Sequence, residues 1–264
     1  MRRALAFLIC AATLSLHAQH PGSIEIRRGG KVVASNADAS RSDLRILFIG
    51  NSLTFWNEMP WMFEQVARSL GARPKTQFSG RSGLSLRAHW REGRAQKSIA
   101  EGKWDFVVIQ PQSTEMMRDP EETMKYARMF DELVRESGAK TVIFLTWAPR
   151  GATFTQEALT DRYLSMARRL NARVAPIGVA WAELARSGIE MEEGGAHPTL
   201  AGSYLSTCVL YATLYGKSPA GAMHTFDVKF DIKERYRQPL ETEKLAPHVA
   251  ETIQRKAWEV VRRK

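Results

Sequence analysis

One serine and one histidine in the sequence have surroundings that suit nucleophilic chemistry. Ser52 lies in FIGNSLTF, directly after the apolar segment 44–49, and His197 lies in GGAHPTLAGSYL, in a loop before a strong helical pattern. A serine nucleophile needs a base, commonly histidine, and donors for the oxyanion that forms on attack. Each residue also has a structural alternative, because Gly-Asn-Ser favours a turn or a helix cap and a loop histidine can cap a helix.

The elements that would position these residues can be predicted from residue 44 onward. Short aliphatic runs alternate with helical patterns, which is typical of a parallel sheet covered by helices on both faces. The predicted strands are Arg45–Ile49, Lys75–Phe78, Phe106–Ile109, Thr141–Leu145 and Arg173–Ile177. The predicted helices are Glu58–Leu70, Leu86–Glu101, Glu121–Ser137, Gln156–Asn171, Ala180–Arg186, Leu200–Tyr215 and a last helix from about Lys244 to Arg263. We therefore expect one α/β domain, a three-layer α/β/α sandwich with a doubly wound, flavodoxin-like parallel sheet of about five strands.

Polar and aromatic residues follow several of these strands, at the edge where open α/β sheets carry their active sites. Ser52 follows the first strand, whereas Gln110 and Gln112 follow the third. Trp147 follows the fourth strand. We expect the topology to bring these residues together although they are distant in the sequence.

Four blocks along the chain resemble, in their order, the SGNH hydrolases, which are the GDSL-type esterases and lipases. The blocks are FIGNSLTF, the glycine turn SGRSGLSL at 79–86, the turn IQPQST at 109–114 and AHPTLAGSYL. The resemblance implies that Ser52 is the nucleophile and that its backbone N–H helps to hold the oxyanion. It also implies that Gly83 gives the second oxyanion donor, with Gly80 a poorer match, and that His197 is the general base.

Two positions depart from the family pattern. The family usually has an asparagine side chain as the third oxyanion donor, and here the turn offers Gln112, with Gln110 as the alternative. The aspartate that usually lies three residues before the histidine is replaced by Gly194. Glu193 is then the candidate orienting acid, a Ser-His dyad oriented by a backbone carbonyl is a second possibility, and a weakened or inactive enzyme is a third.

Several residues near these blocks are further candidates for the site. Trp147 and Trp56 are expected to line the substrate pocket, although Trp56 also suits a helix core. His89 is a second candidate base whose alternative is packing. Arg150 could meet an acidic substrate group or be a solvated loop residue.

The N-terminal segment has the layout of a signal peptide, with two arginines, an apolar stretch and then Ala18. We expect a signal peptide over residues 1–18, a leader or short hairpin over residues 19–43 and the catalytic domain over residues 44–264, including the last helix. An uncleaved membrane anchor is the alternative, although the apolar stretch is short for one. Cys10 would leave with the signal, and Cys208 would remain as a small core residue.

Composition narrows the classes of function. The 264 residues carry a formal net charge of +10, but basic residues are interspersed with acidic ones and no aromatic-basic pattern indicates nucleic-acid binding. No cysteine–histidine cluster has the spacing of metal ligands. The expected chemistry requires neither a metal nor an organic cofactor.

These observations predict a secreted or periplasmic serine esterase that hydrolyses carboxylic esters. Its expected partner is a small-molecule or polysaccharide ester, with O-acyl groups on carbohydrate favoured over long-chain lipid. We expect no nucleic-acid partner and no stable membrane insertion after signal cleavage. The alternative is a non-catalytic protein that binds carbohydrate or cell-envelope polymer through a degenerate site, and Gly194 is the feature that supports it.

Overall fold

The structure is a computed structural model that describes residues 25–28, 31–35, 42–227 and 242–263. The chain divides into two units, Met1–Arg41 and Ser42–Lys264. In the first unit, β1 (Glu25–Arg28) and β2 (Lys31–Ser35) form an antiparallel pair. The predicted signal peptide lies outside the described residues.

The second unit is organised around a five-stranded parallel sheet, which confirms the predicted fold class. The strands of this sheet are β3 (Arg45–Gly50), β4 (Lys75–Gly80), β5 (Phe106–Ile109), β6 (Lys140–Phe144) and β7 (Arg173–Ala175). They lie in the order β4-β3-β5-β6-β7, and every neighbouring pair is parallel. The chain therefore reverses its direction of winding at β3 and β5, and such a reversal leaves a crevice at the carboxyl ends of the strands.

Helices cover both faces of the sheet. They are α1 (Ser52–Phe55), α2 (Met59–Ser69), α3 (Leu86–Glu92), α4 (Arg94–Glu101), α5 (Ser113–Arg118), α6 (Pro120–Glu136), α7 (Gln156–Leu170), α8 (Ile177–Ala185), α9 (Leu200–Tyr215) and α10 (Pro247–Arg262), and a 3₁₀ turn (Trp56–Glu58) joins α1 to α2. Successive residues of a strand point to opposite faces. Phe48 accordingly packs in one core with α2, α8, α9 and α10, whereas Leu47 and Ile49 pack in the other core with α3, α4, α6 and α7.

The element boundaries differ from the predicted ones where one residue interrupts the pattern. The predicted helix Leu86–Glu101 is two helices, because Gly93 adopts a left-handed conformation (φ 75°) that ends α3. The fifth strand ends at Ala175, because Pro176 lacks a backbone N–H and α8 begins directly after it. The short helix α5 is additional to the predicted set.

Three small strand pairs and the last helix complete the described chain. Beyond β1 and β2, two antiparallel pairs occur, β8 (Glu192–Glu193) with β9 (His197–Pro198), and β10 (Thr225–Asp227) with β11 (Thr242–Lys244). α10 packs on α8 and α9, and Cys208 of α9 is fully buried. Within the ranges given above, none of the helices combines the length and the apolar character that crossing a membrane requires.

Candidate active site

Ser52 begins α1 directly after the turn that ends β3. A Cβ atom on Gly50 would lie 2.5 Å from the Thr54 hydroxyl oxygen, so any larger residue would displace the buried side chains at this strand end. Asn51 caps α1, since its side-chain oxygen accepts a hydrogen bond from Leu53 N (3.1 Å). The Gly-Asn-Ser turn therefore caps a helix and also places Ser52 at the carboxyl edge of a central strand.

Asn51 is buried and links the Gly-Asn-Ser turn to the turns that follow two neighbouring strands. Its backbone N–H donates to Gln110 Oε1 (2.8 Å), and its side-chain amide donates to the backbone oxygen of Leu84 (3.1 Å). Gly83, next to Leu84, has a φ of 71°, which glycine adopts without strain. The backbone N–H groups of Gly83 and Ser52 donate no hydrogen bond to any described residue, so both are available to a bound oxyanion.

Gly80 is a glycine for a different reason. It pairs in register with Gly50 across β3 and β4, and a Cβ atom on Gly80 would lie 1.9 Å from the Gly50 oxygen. The close approach of two strands therefore requires Gly80, whereas the turn conformation requires Gly83.

The two glutamines of the IQPQST turn have different surroundings. Gln110 is fully buried; its oxygen accepts from Asn51 N and from the Thr54 hydroxyl (3.0 Å), and its nitrogen donates to a backbone oxygen (2.9 Å). Gln112 is half-buried and caps α5, since its oxygen accepts from Glu115 N (2.8 Å). The N–H₂ group of Gln112 donates to no described residue, which leaves it the more available of the two amide donors.

His197 lies in the hairpin that β8 and β9 form, directly opposite Glu193. Gly194 and Gly195 make the turn with φ values of 59° and 84°. Backbone of this kind favours glycine, which explains why glycine occupies the position where the family usually has an acid. Because β9 contacts α1, the hairpin brings His197 to the helix that carries Ser52.

Two side chains outside the turn hold this hairpin in place. Trp147 Nε1 donates to the backbone oxygen of Ala196 (3.3 Å), and the buried Glu192 carboxylate accepts from Arg150 N (3.1 Å). The Trp147 ring is stacked on Trp181 at 3.8 Å between ring centroids and is only 1% exposed. This corrects the prediction that Trp147 lines the substrate pocket, because its ring is enclosed in the core. Trp147 instead supports the loop that carries His197.

Trp56 lies between α1 and the hairpin. Its ring is stacked on that of His197, with 3.9 Å between the centroids and 10° between the planes. Its Nε1 donates to Glu193 Oε1 (3.1 Å). The next residue, Asn57, donates to the backbone oxygen of Pro198 (3.1 Å). Asn57 was not among the predicted site residues, and its signal in the sequence is only that asparagine tolerates left-handed backbone.

The electrostatics of the site suit a neutral base. Burial lowers the pKa of His197 from its usual value of 6.5, and the negative charge of Glu193 opposes that shift. The imidazole is therefore neutral near pH 7 and can accept a proton. Among the described residues no hydrogen bond links the Ser52 hydroxyl to His197, and contacts of this kind are often long until a substrate binds.

Two other candidates have structural roles. His89 is buried in α3, and its Nε2 hydrogen-bonds the backbone oxygen of Gly50 (3.0 Å), which is the packing alternative. Arg150 is exposed and forms an ion pair with Glu190 (2.6 Å). No group of three or more metal-ligating side chains occurs within the part of the chain that the structure describes.

Comparison with known proteins identifies the family. No protein-family model matches the sequence, and no curated protein matches it significantly. Among solved structures, a protein from Slackia heliotrinireducens described as a candidate SGNH hydrolase is 30% identical, over 65% of this chain and 98% of that chain, with a TM-score of 0.55. The chain belongs to the SGNH hydrolases. It is an SGNH-type serine hydrolase of ester bonds, as the sequence blocks predicted.

Two structures of lower sequence identity share the fold of this SGNH hydrolase. A DUF4886 family protein from Bacteroides uniformis has a TM-score of 0.62 at 18% identity, over 83% of this chain and 95% of that chain. An acetyl xylan esterase has a TM-score of 0.53 at 11% identity, over 64% of this chain and 98% of that chain. At these identities the likeness shows the α/β/α fold alone.

Proposed function

We propose that this SGNH hydrolase is an exported esterase that removes O-acyl groups from a carbohydrate through an acyl-enzyme on Ser52. The observation that carries the proposal is the contact between α1 and β9, which brings the helix of Ser52 to the strand of His197. The side chain that caps α1 is that of Asn51, so helix capping does not account for Ser52. The backbone N–H groups of Ser52 and Gly83, which donate to no described residue, add support at the same sheet edge.

In the proposed mechanism, His197 takes the proton of the Ser52 hydroxyl as Oγ bonds to the ester carbonyl carbon. The oxyanion accepts hydrogen bonds from the backbone N–H groups of Ser52 and Gly83 and from the amide of Gln112. The imidazolium, stabilised by the charge of Glu193, then gives its proton to the alcohol oxygen as the C–O bond breaks. Water attacks the acyl-enzyme by the same path, which releases the carboxylic acid and restores the hydroxyl.

A polar substrate is supported by a cavity of about 230 Å³ that lies between α3, α5 and α6. Its lining consists of Leu86, Arg87, Glu115, Arg118, Asp119, Glu122, Thr123 and Tyr126. Two lining residues are close in sequence to the proposed oxyanion donors: Leu86 follows Gly83 by three residues, and Glu115 lies in α5, which Gln112 caps. Charged and hydroxyl groups of this kind suit a sugar better than a long acyl chain. An acetyl xylan esterase with the same fold is consistent with this choice.

Export is supported by the signal-like residues 1–18. Its test is N-terminal sequencing of the protein recovered from the periplasm or the culture fluid. A mature chain that begins just after Ala18 is expected. An intact Met1 in a membrane fraction would favour the uncleaved anchor.

The function is tested by hydrolysis of p-nitrophenyl acetate and of acetylated xylan by the mature chain. Ser52→Ala and His197→Ala should each lower kcat by roughly 10⁴-fold or more. The matched controls are Ser165→Ala and His248→Ala, which change exposed residues of α7 and α10 and should leave kcat unchanged.

The substrate is tested with the same enzyme and p-nitrophenyl palmitate. Acetylated xylan should be hydrolysed at a higher kcat/KM than the palmitate ester. Wild-type protein that matches Ser52→Ala on every ester would instead favour the non-catalytic binding protein.

A further inference from the structure

A residue other than the usual acid must orient the His197 ring, because Gly194 occupies the position where the family usually has that acid. The ring of Trp56 is stacked on the imidazole at 3.9 Å, with the planes only 10° from parallel. Trp56 follows Ser52 by four residues. A side chain that restrains the base is therefore carried by the same short segment as the nucleophile.

The indole is itself restrained at its edge. Trp56 Nε1 donates to Glu193 Oε1 (3.1 Å), and Glu193 lies opposite His197 in the hairpin. Trp56 thus contacts both members of this cross-strand pair, one through its ring face and the other through its N–H. One carboxylate oxygen of Glu193 accepts from the indole, and the charge of Glu193 raises the pKa of the imidazole.

The backbone next to Trp56 is held in an unusual conformation. Asn57 and the residue after it have φ values of 50° and 48°, and left-handed backbone is rare for residues other than glycine. The Asn57 amide donates to the backbone oxygen of Pro198 (3.1 Å) and to Ser203 Oγ (3.0 Å). Ser203 Oγ donates in turn to the backbone oxygen of Trp56 (3.3 Å). These hydrogen bonds fix the direction of the indole relative to the strand that carries the histidine.

We propose that Trp56 is the positioning residue for His197 and takes over the orienting role of the missing acid. This inference rests on the proposed function, in which His197 is the base. The stacked ring holds the plane of the imidazole, and its π face stabilises the imidazolium that forms when Ser52 loses its proton. Glu193 positions the indole by accepting its N–H.

The test compares Trp56→Leu, Trp56→Phe and Glu193→Gln, with Trp61→Leu as the matched control. Trp61 is a half-buried tryptophan of α2 whose Nε1 donates to the backbone oxygen of Asp227. Trp56→Leu should lower kcat by about 10²-fold with little change in KM, because the base is misplaced. Trp56→Phe keeps a stacking ring and should recover most of that loss, whereas Trp61→Leu should leave kcat unchanged.

Glu193→Gln separates this proposal from a conventional triad. A glutamine oxygen can still accept the indole N–H, so the loss in kcat should stay within about tenfold, the range expected when one neutral hydrogen bond replaces a charged one. A loss of about 10⁴-fold, the size seen when an orienting acid is removed, would overturn the proposal. Unchanged kcat in Trp56→Leu would overturn it as well.

A second readout does not depend on activity, so failure of the proposed function can be told from failure of this inference. The ring current of Trp56 should displace the His197 ring-proton resonances in the NMR spectrum, with His197→Ala providing the assignment. Trp56→Leu should remove the displacement and Trp61→Leu should not. Identical His197 resonances in wild type and Trp56→Leu would show that the stack does not form, even if no ester is hydrolysed.

Discussion

The side-chain oxygen of Gln110 accepts a hydrogen bond from the backbone N–H of Asn51 at 2.8 Å, directly before Ser52. The same oxygen accepts from the Thr54 hydroxyl at 3.0 Å. A single glutamine at the end of β5 therefore fixes the turn at the end of β3. This relationship favours a scaffold role for Gln110 and leaves Gln112 as the candidate oxyanion donor.

Removal of the Gln110 amide should destabilise the protein. Gln110→Ala leaves the Asn51 N–H and the Thr54 hydroxyl buried without their partner, and we expect the free energy of unfolding to fall by about 2–4 kcal/mol. Urea denaturation measures the change. Gln77→Ala, at a glutamine whose hydrogen bond to Ser98 is exposed, is the control and should stay within about 0.5 kcal/mol of wild type. Equal stability of the two variants would contradict the scaffold role.

Gln112 should matter for rate more than for stability. Gln112→Ala removes one oxyanion donor and should lower kcat by about 10²–10³-fold, while loss of the α5 cap costs only about 0.5–2 kcal/mol. Gln112→Glu is the matched variant, because its carboxylate can still cap the helix through Glu115 N but has no N–H₂ to donate. We expect Gln112→Glu to lose at least as much kcat as the alanine variant. Wild-type kcat in Gln112→Glu would mean that the amide does not contact the oxyanion.

The sheet and most helices could be predicted because their signals are local. Strands buried on both faces are continuous aliphatic runs, and α9 has the predicted bounds because Thr199 caps its start and Gly216 its end. The break at Gly93 was missed, because an isolated glycine is also tolerated within a helix.

Only those residues of the site that lie in recognisable sequence motifs could be predicted. The GNS and AHP blocks indicated that Ser52 and His197 belong to one site, and the structure brings their elements into contact. The roles of Trp56 and Trp147 could not be separated in this way. Both are aromatic residues near strand or helix ends, and only tertiary contacts show that one covers the histidine while the other lies in the core.

The acid side of the pH–rate profile should report the protonation of His197. Its pKa is lowered by burial, so kcat/KM should hold steady near pH 7 and fall only below the usual value of 6.5, where the imidazolium cannot accept a proton. Glu193→Gln removes the charge that raises this pKa, so the acid limb should move to lower pH. Glu190→Gln is the control, because this exposed acid is paired with Arg150, and it should leave the limb in place. An acid limb that moves to higher pH in Glu193→Gln would contradict the predicted effect of the Glu193 charge on the pKa of His197.

Stability at mildly acidic pH should depend on His89. Burial lowers the pKa of this histidine; its hydrogen bond to the backbone oxygen of Gly50 and the charge of Glu92 oppose the shift, and Arg81 adds to it. In the unfolded chain the pKa returns to about 6.5, so below that pH the unfolded state binds the extra proton first. The free energy of unfolding should therefore fall as the pH drops through 6.5 towards the folded pKa.

His89→Gln separates this effect from general acid denaturation, because glutamine can still donate to the Gly50 oxygen but does not titrate. Urea denaturation at pH 7 and pH 5 should show a smaller loss of stability in His89→Gln than in wild type. His248→Gln, at an exposed histidine of α10, should behave as wild type does. Equal losses of stability between pH 7 and pH 5 in all three proteins would contradict the prediction. Of the two variants, only His89→Gln removes a histidine that burial keeps unprotonated in the folded state.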